Sequence, residues 1–205
     1  TIPKERVREC LEKIGIGFLF APRCHPAMKY VLAPRQEMGM RTVFNILGPL
    51  INPLGANVRL MGVHSSSLTE PLARVLKNLA VESAFVVWGE DDLDEISINA
   101  RTRITELREK KIKTYYIGPE DFGMVRASLE EIRGGNREEN AGVIKDILGG
   151  EKGAKRDIVL INAAACLVVA RQAKNFKEGI EIAKDSIDSG KAKEKLQSLI
   201  SFTNS

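Results

Sequence analysis

Two rhythms of apolar residues run through this chain, one at spacings of three and four and one at every second position, and they sort it into helices and strands. The stretch TIPKERVRECLEKIG starts with Thr1 and Pro3, sets Val7, Leu11 and Ile14 on one face and stops at Gly15, which predicts a helix of about three turns. IGFLFAP predicts a buried strand ending at Pro22. HPAMKYVLAPRQEMG predicts a helix interrupted near Ala33, because the next residue, Pro34, disfavours helical geometry there. RTVFNIL is a short helical candidate before the turn GPLINP. VRLMGV and AFVVWG have strand composition, and between them TEPLARVLKNLA spaces Leu72, Val75, Leu76 and Leu79 as a helix does. A strand, helix, strand unit pairs its strands in parallel and presents ligands at their carboxyl ends.

EISI, TRITEL and KTYYI predict short strands joined by tight turns, an antiparallel addition that PEDFG closes. The rest reads as helix. NREENAGVIKDIL carries Asn136 as cap and Glu139 in the reciprocal capping position. RDIVLINAAACLVVARQA is apolar nearly all round and predicts a helix sandwiched in the core. FKEGIEIAKDSIDSG, ended by Gly190, and KAKEKLQSLISF follow. There is no internal repeat, and no linker is long enough to mark a domain boundary. The expected fold is α/β: a central, mostly parallel sheet with an antiparallel addition and helices on both faces.

Composition narrows the classes. A chain of 205 residues with 43% hydrophobic side chains buries a sizeable core. Its 31 basic and 27 acidic residues leave a net charge of +4, close enough to balance that anionic small molecules fit as well as nucleic acid. Cys10, Cys24 and Cys166 are odd in number and lack metal-site spacing, which predicts a reducing compartment without structural disulfides. The most apolar segment, IVLINAAACLVVA, is too short for a membrane span, and no signal peptide opens the chain, so a soluble cytoplasmic protein is expected.

The densest chemistry is GEDDLDEIS, with five carboxylates in the six residues from Glu90 to Glu95, just past the strand AFVVW. Carboxylates at that end of a sheet suit magnesium, which takes oxygen ligands and often only one or two from protein. Composition alone slightly favours an ordinary solvated turn, since acidic turns are common. Asp94 and Glu95 are the better metal pair, since they adjoin the next predicted strand. FLFAPRCHPAMK offers Arg23, His25 and Lys29 to an anion, although a lone histidine before Pro26 is as readily a helix cap. Arg35 and Arg41 flank QEMGM; either fork suits a carboxylate, and spacing does not choose between them. NILGPLINPLGAN is either a pocket wall or a structural turn. His64 fits a capping loop, and Trp88, Tyr115 and Tyr116 fit the core or a sheet face. IRGGNREEN follows no predicted strand, so no glycine-rich phosphate loop of familiar form is present.

Taken in order, GIGFLFAPRCHPAMKYV, PRQEMGMRTVFNILGPLINP, DDLDEIS, PEDFG and NREENA resemble the anthranilate phosphoribosyltransferase family over essentially the whole chain. The resemblance implies a nucleoside phosphorylase and phosphoribosyltransferase-like fold, with residues 25–50 in a small helical subdomain. It implies transfer of phosphoribosyl from 5-phosphoribosyl 1-diphosphate to the amine of anthranilate in tryptophan biosynthesis. It assigns magnesium (Mg2+) to Asp94 and Glu95, the anthranilate carboxylate to Arg35 rather than Arg41, and the anthranilate channel to His25, Met28, Pro49 and Asn52. No catalytic base is nominated, because an aromatic amine is neutral near pH 7 and positioning with electrostatics suffices. The family's glycine-rich diphosphate loop and dimer-forming helices precede the matched blocks. The resemblance therefore implies the carboxyl-terminal portion of a longer, homodimeric enzyme, inactive or nearly so alone. Asp92 stands where the family often has glycine.

Two other readings compete: a non-catalytic relative that binds nucleic acid, and a nucleoside phosphorylase-like enzyme. Neither needs His25, Arg35 and GPLINP together with Asp94 and Glu95.

Overall fold

A computed structural model describes residues 2–20, 24–25, 29–39 and 44–204. In chain order its elements are α1 (Lys4–Ile14), α2 (Lys29–Met38), α3 (Phe44–Leu50), β1 (Val58–Gly62), α4 (Thr69–Asn78), β2 (Ser83–Gly89), β3 (Thr102–Arg108), β4 (Lys111–Ile117), the single turn α5 (Leu129–Ile132), α6 (Arg137–Leu148), α7 (Ala154–Val169), α8 (Phe176–Asp188) and α9 (Lys191–Asn204). The chain forms two compact units, 1–55 with 191–205, and 56–190.

In the first unit α1 packs against α9. Arg6 stacks 4.5 Å above the Phe202 ring and donates to the Phe202 carbonyl, and Lys195 donates to the Ile14 carbonyl at the end of α1. Gly15 closes α1 in the left-handed conformation, as expected from its lack of Cβ. Three expectations fail here. The described portion of IGFLFAP, residues 16–20, is not a strand, and Phe18 is 67% exposed; an apolar run becomes a strand only where a partner supplies the ladder. Helix α2 runs through Ala33 and Pro34 without a break; proline's effect on the residue before it is a bias, to which helices carrying an interior proline are the exception. Gly48, Pro49 and Leu50, read as belonging to a turn, complete α3 instead.

The second unit holds a four-stranded sheet in the order β1-β2-β3-β4. β1 and β2 are parallel, with Leu60 beside Phe85, as the strand, helix, strand pattern requires. β2 to β3 and β3 to β4 are antiparallel, so the fold is mixed α/β and its parallel share, among the described residues, is one pairing of three. Strand alternation sends Phe85, Val87 and Ile104 to one face, into a core with Ile158, Ile161 and Val168 of α7 and Phe176 and Ile180 of α8. The intervening residues meet α4, where Arg103 donates to Thr69 and Glu70 and Thr114 to Glu70. Helices thus cover both faces. α7 and α8 approach closely at Gly179, where a Cβ would sit 2.9 Å from that of Ala164. Arg156, only 5% exposed, donates to both Asp188 oxygens at 2.7 and 2.9 Å and to the Gly150 carbonyl. The Asn136 and Glu139 capping box forms as expected. Cys10, Cys24 and Cys166 are all free thiols, and no helix is long and apolar enough to cross a membrane among the described residues.

Candidate active site

The acidic loop leaves the carboxyl end of β2. EISI, expected as a strand, is irregular, yet Ile96, Ser97 and Ile98 are buried. Side chains from elsewhere satisfy its main chain. The Ile96 amide donates to Asn162 Oδ1 on α7, and Asn162 Nδ2 returns a bond to the Ile96 carbonyl, each at 2.9 Å. The Ser97 amide donates to Thr102 Oγ1 at 2.9 Å. Asp91 Oδ2 accepts from Ser97 Oγ at 2.6 Å and from Asn99 Nδ2 at 3.3 Å, while its Oδ1 is buried without a hydrogen-bond partner among the described residues. Glu90 turns away into a two-point pair with Arg101, which holds its carboxyl below the ordinary range.

This frame leaves Asp94 and Glu95 adjacent, exposed and without an ion-pair partner among the described residues. Although Glu95 as a residue is exposed, its carboxyl is partly withdrawn from water. That desolvation, then the neighbouring Asp94 and Asp91 charges, push its pKa above the usual value. Gly62, at the end of β1, is what lets the loop lie so close: a Cβ there would fall 1.5 Å from the Asp94 carbonyl oxygen. Asp92 adopts a left-handed φ of 66°, the conformation glycine takes most easily.

Among the described residues no cluster of three or more His, Cys, Asp or Glu side chains is disposed to hold a metal. The available donors are therefore the adjacent Asp94 and Glu95 carboxylates, with the Asp91 charge adding to the negative field at Glu95. Such a set fits a hard cation that keeps most of its shell for water and substrate oxygens, as magnesium does, and not a site that encloses its metal in protein ligands.

The residues that the resemblance assigns to the anthranilate site belong to the first unit; Arg23 and Arg41 lie outside the described residues. His25 is half-buried, Arg35 lies within α2 and Pro49 within α3. Asn52 Oδ1 accepts from the Leu54 amide at 2.9 Å, which shapes the turn after α3. Met28 lies outside the described residues. Sequence reading overlooked Asp91, Ser97, Asn162 and Gly62. Asn162 leaves a trace, as the lone amide in the apolar run IVLINAAACLVVA, whereas Gly62 looks like any glycine after a strand.

The chain belongs to the glycosyl transferase family, a/b domain, whose profile matches residues 1–193. It is 50% identical over 200 residues to the anthranilate phosphoribosyltransferase of Symbiobacterium thermophilum, covering 98% of this chain and 59% of that protein. Identity to the Thioalkalivibrio sulfidiphilus anthranilate phosphoribosyltransferase is 52% over 201 residues, 98% of this chain and 60% of that one. The crystal structure of the Thermus thermophilus anthranilate phosphoribosyltransferase matches with a TM-score of 0.92 at 40% identity, over 99% of this chain and 60% of that one. The Saccharomyces cerevisiae enzyme in complex with PRPP and Mg matches with a TM-score of 0.92 at 29% identity, over 99% and 58%. The chain thus spans about 59% of the length of the curated relatives it matches.

Proposed function

We propose that this chain carries the metal-binding and anthranilate-binding portions of an anthranilate phosphoribosyltransferase. The observation that carries the reading is the Asp94 and Glu95 pair, two uncompensated carboxylates on a firmly held loop beyond β2. In the reaction the amine nitrogen of anthranilate bonds to C1 of 5-phosphoribosyl 1-diphosphate as the bond from C1 to the diphosphate oxygen breaks, and the amine then loses a proton to water. Asp94 and Glu95 would hold magnesium, which when bound would supply positive charge to the departing diphosphate. Arg35 takes the anthranilate carboxylate through its planar fork, and His25, Met28, Pro49 and Asn52 line the aromatic ring's approach. The neutral amine needs no strong base, so these residues act by placing the nucleophile.

Two measurements test the proposal. Calorimetric titration of the chain with magnesium in the presence of diphosphate is expected to show binding that Asp94→Asn with Glu95→Gln abolishes; undiminished binding in the double variant removes the metal assignment. Loss of anthranilate fluorescence with 5-phosphoribosyl 1-diphosphate and magnesium, assayed on the gene product, is expected to stop in the same variant. Affinity for nucleic acid that falls steeply with salt, without turnover, would favour the binding-module reading.

A further inference from the structure

At the amino end of the sheet, away from the acidic loop, the starts of β1 and β2, the hairpin between β3 and β4 and the carboxyl ends of α4 and α7 surround a groove of about 680 Å³. That volume lies in the range of small-molecule sites, roughly 300–1,000 Å³. Val58, Val81 and Val169 give it an apolar floor, and Lys77, Lys110 and Arg171 stand around it. Two acids, Glu82 and Glu109, also line it, and Glu109 pairs with Arg171 at 3.5 Å. Lys77 and Lys110 have no ion-pair partner among the described residues. The hydroxyl of Ser83, a lining residue that is 3% exposed, has no hydrogen-bond partner among the described residues.

The backbone singles out the same place. Five described non-glycine residues have positive φ, and four of them, Ala80, Glu109, Lys110 and Arg171, line this groove. Each sits where glycine or asparagine is the usual choice. Ala80 and Arg171 close α4 and α7, with the Val81 amide bonded to the Leu76 carbonyl and the Gln172 amide to that of Leu167. Glu109 and Lys110 form the two-residue hairpin turn, where both positions need φ above zero. Strained conformations concentrate at functional sites, and here three of the four strained residues bring charged side chains to one cavity.

We infer that this groove is a second ligand site, for a small molecule with an apolar body about the size of one ring and an anionic head group, carboxylate or phosphate, met by Lys77 and Lys110. The site does not depend on the transferase reading, and its test uses no turnover.

The test is titration of the isotope-labelled chain with phenyl phosphate and, separately, benzoate, followed by amide resonances. Saturable shifts are expected at Lys77 to Ser83, Glu109, Lys110 and Val169 to Arg171, with inorganic phosphate binding at least tenfold more weakly than the better ring-bearing probe. Which probe binds more tightly identifies the head group. Lys77→Glu with Lys110→Glu should weaken that binding at least tenfold. Glu109→Asn with Lys110→Gly, which gives the turn its preferred residues, should raise the melting temperature while weakening binding. Absence of saturable shifts at these amides with either probe, or equal binding by the wild type and the double glutamate variant, overturns the inference.

Discussion

Asn162 and Ile96 pair as neighbouring strands would: the asparagine amide accepts from the Ile96 N–H and donates to its carbonyl, both at 2.9 Å, while also donating to the Ile158 carbonyl of its own helix. One side chain therefore anchors the residue that follows Glu95. Replacing it with alanine removes three bonds and leaves main-chain groups of the buried Ile96 without them. Asn162→Ala should cost about 1–3 kcal/mol of stability and lower the melting temperature by roughly 2–4 °C per kcal/mol. Magnesium affinity should fall with it, which calorimetry on the still-folded variant measures.

Gly62→Ala tests the closest approach in the site. The new methyl group cannot share space with the Asp94 carbonyl, so the loop must move. Magnesium affinity should drop by about tenfold or more, the scale of losses seen when groups supporting metal ligands are disturbed. Circular dichroism should remain that of the folded chain; unchanged affinity would mean that the loop's position does not matter to the cation.

Asp92→Gly should act in the opposite direction. A left-handed aspartate gives way to the residue that adopts φ of 66° without steric penalty. A gain of about 1 kcal/mol is expected from relieving it, read as an upward shift in thermal unfolding.

Asp157, in the first turn of α7, has its pKa raised mainly by burial, against the opposing pull of Arg156 and Lys184. Its folded state therefore holds a proton more tightly than its unfolded state. The contribution is most favourable below the ordinary aspartate pKa and is lost as pH rises through the raised folded value. Asp157→Asn should accordingly be more stable than the parent at neutral pH, with the difference shrinking on acidification. Urea unfolding midpoints at a series of pH values give the comparison.

Much of this was legible in the residues. The period-2 and period-3.6 patterns located β1 to β4, α4 and α6 to α9; β2, β3, α4, α7 and α8 each bury several residues, whereas α9 buries none and was located by its pattern alone. Asp94 and Glu95 stood out by charge density and by position after a strand. The alternating residues of EISI and the apolar run IGFLFAP misled, since a strand is made by its neighbour as much as by itself. In EISI the ladder partners are replaced by Asn162 and Thr102, whose side chains come from distant and adjacent sequence alike. The frame of the acidic loop was hidden for the same reason: Asp91, Ser97, Asn162 and Gly62 act through contacts that no local spacing encodes.

The pair of buried Arg156 with the half-exposed carboxylate of Asp188 has a consequence for motion. Its guanidinium also holds the Gly150 carbonyl, so the approach to α7, the first turn of that helix and the last turn of α8 share one fastening. Opening any of the three would strand a desolvated cation, which makes separate fraying costly. Amide hydrogens in these three places should then exchange with solvent together, as one cooperative event, instead of peeling away from the helix ends inward.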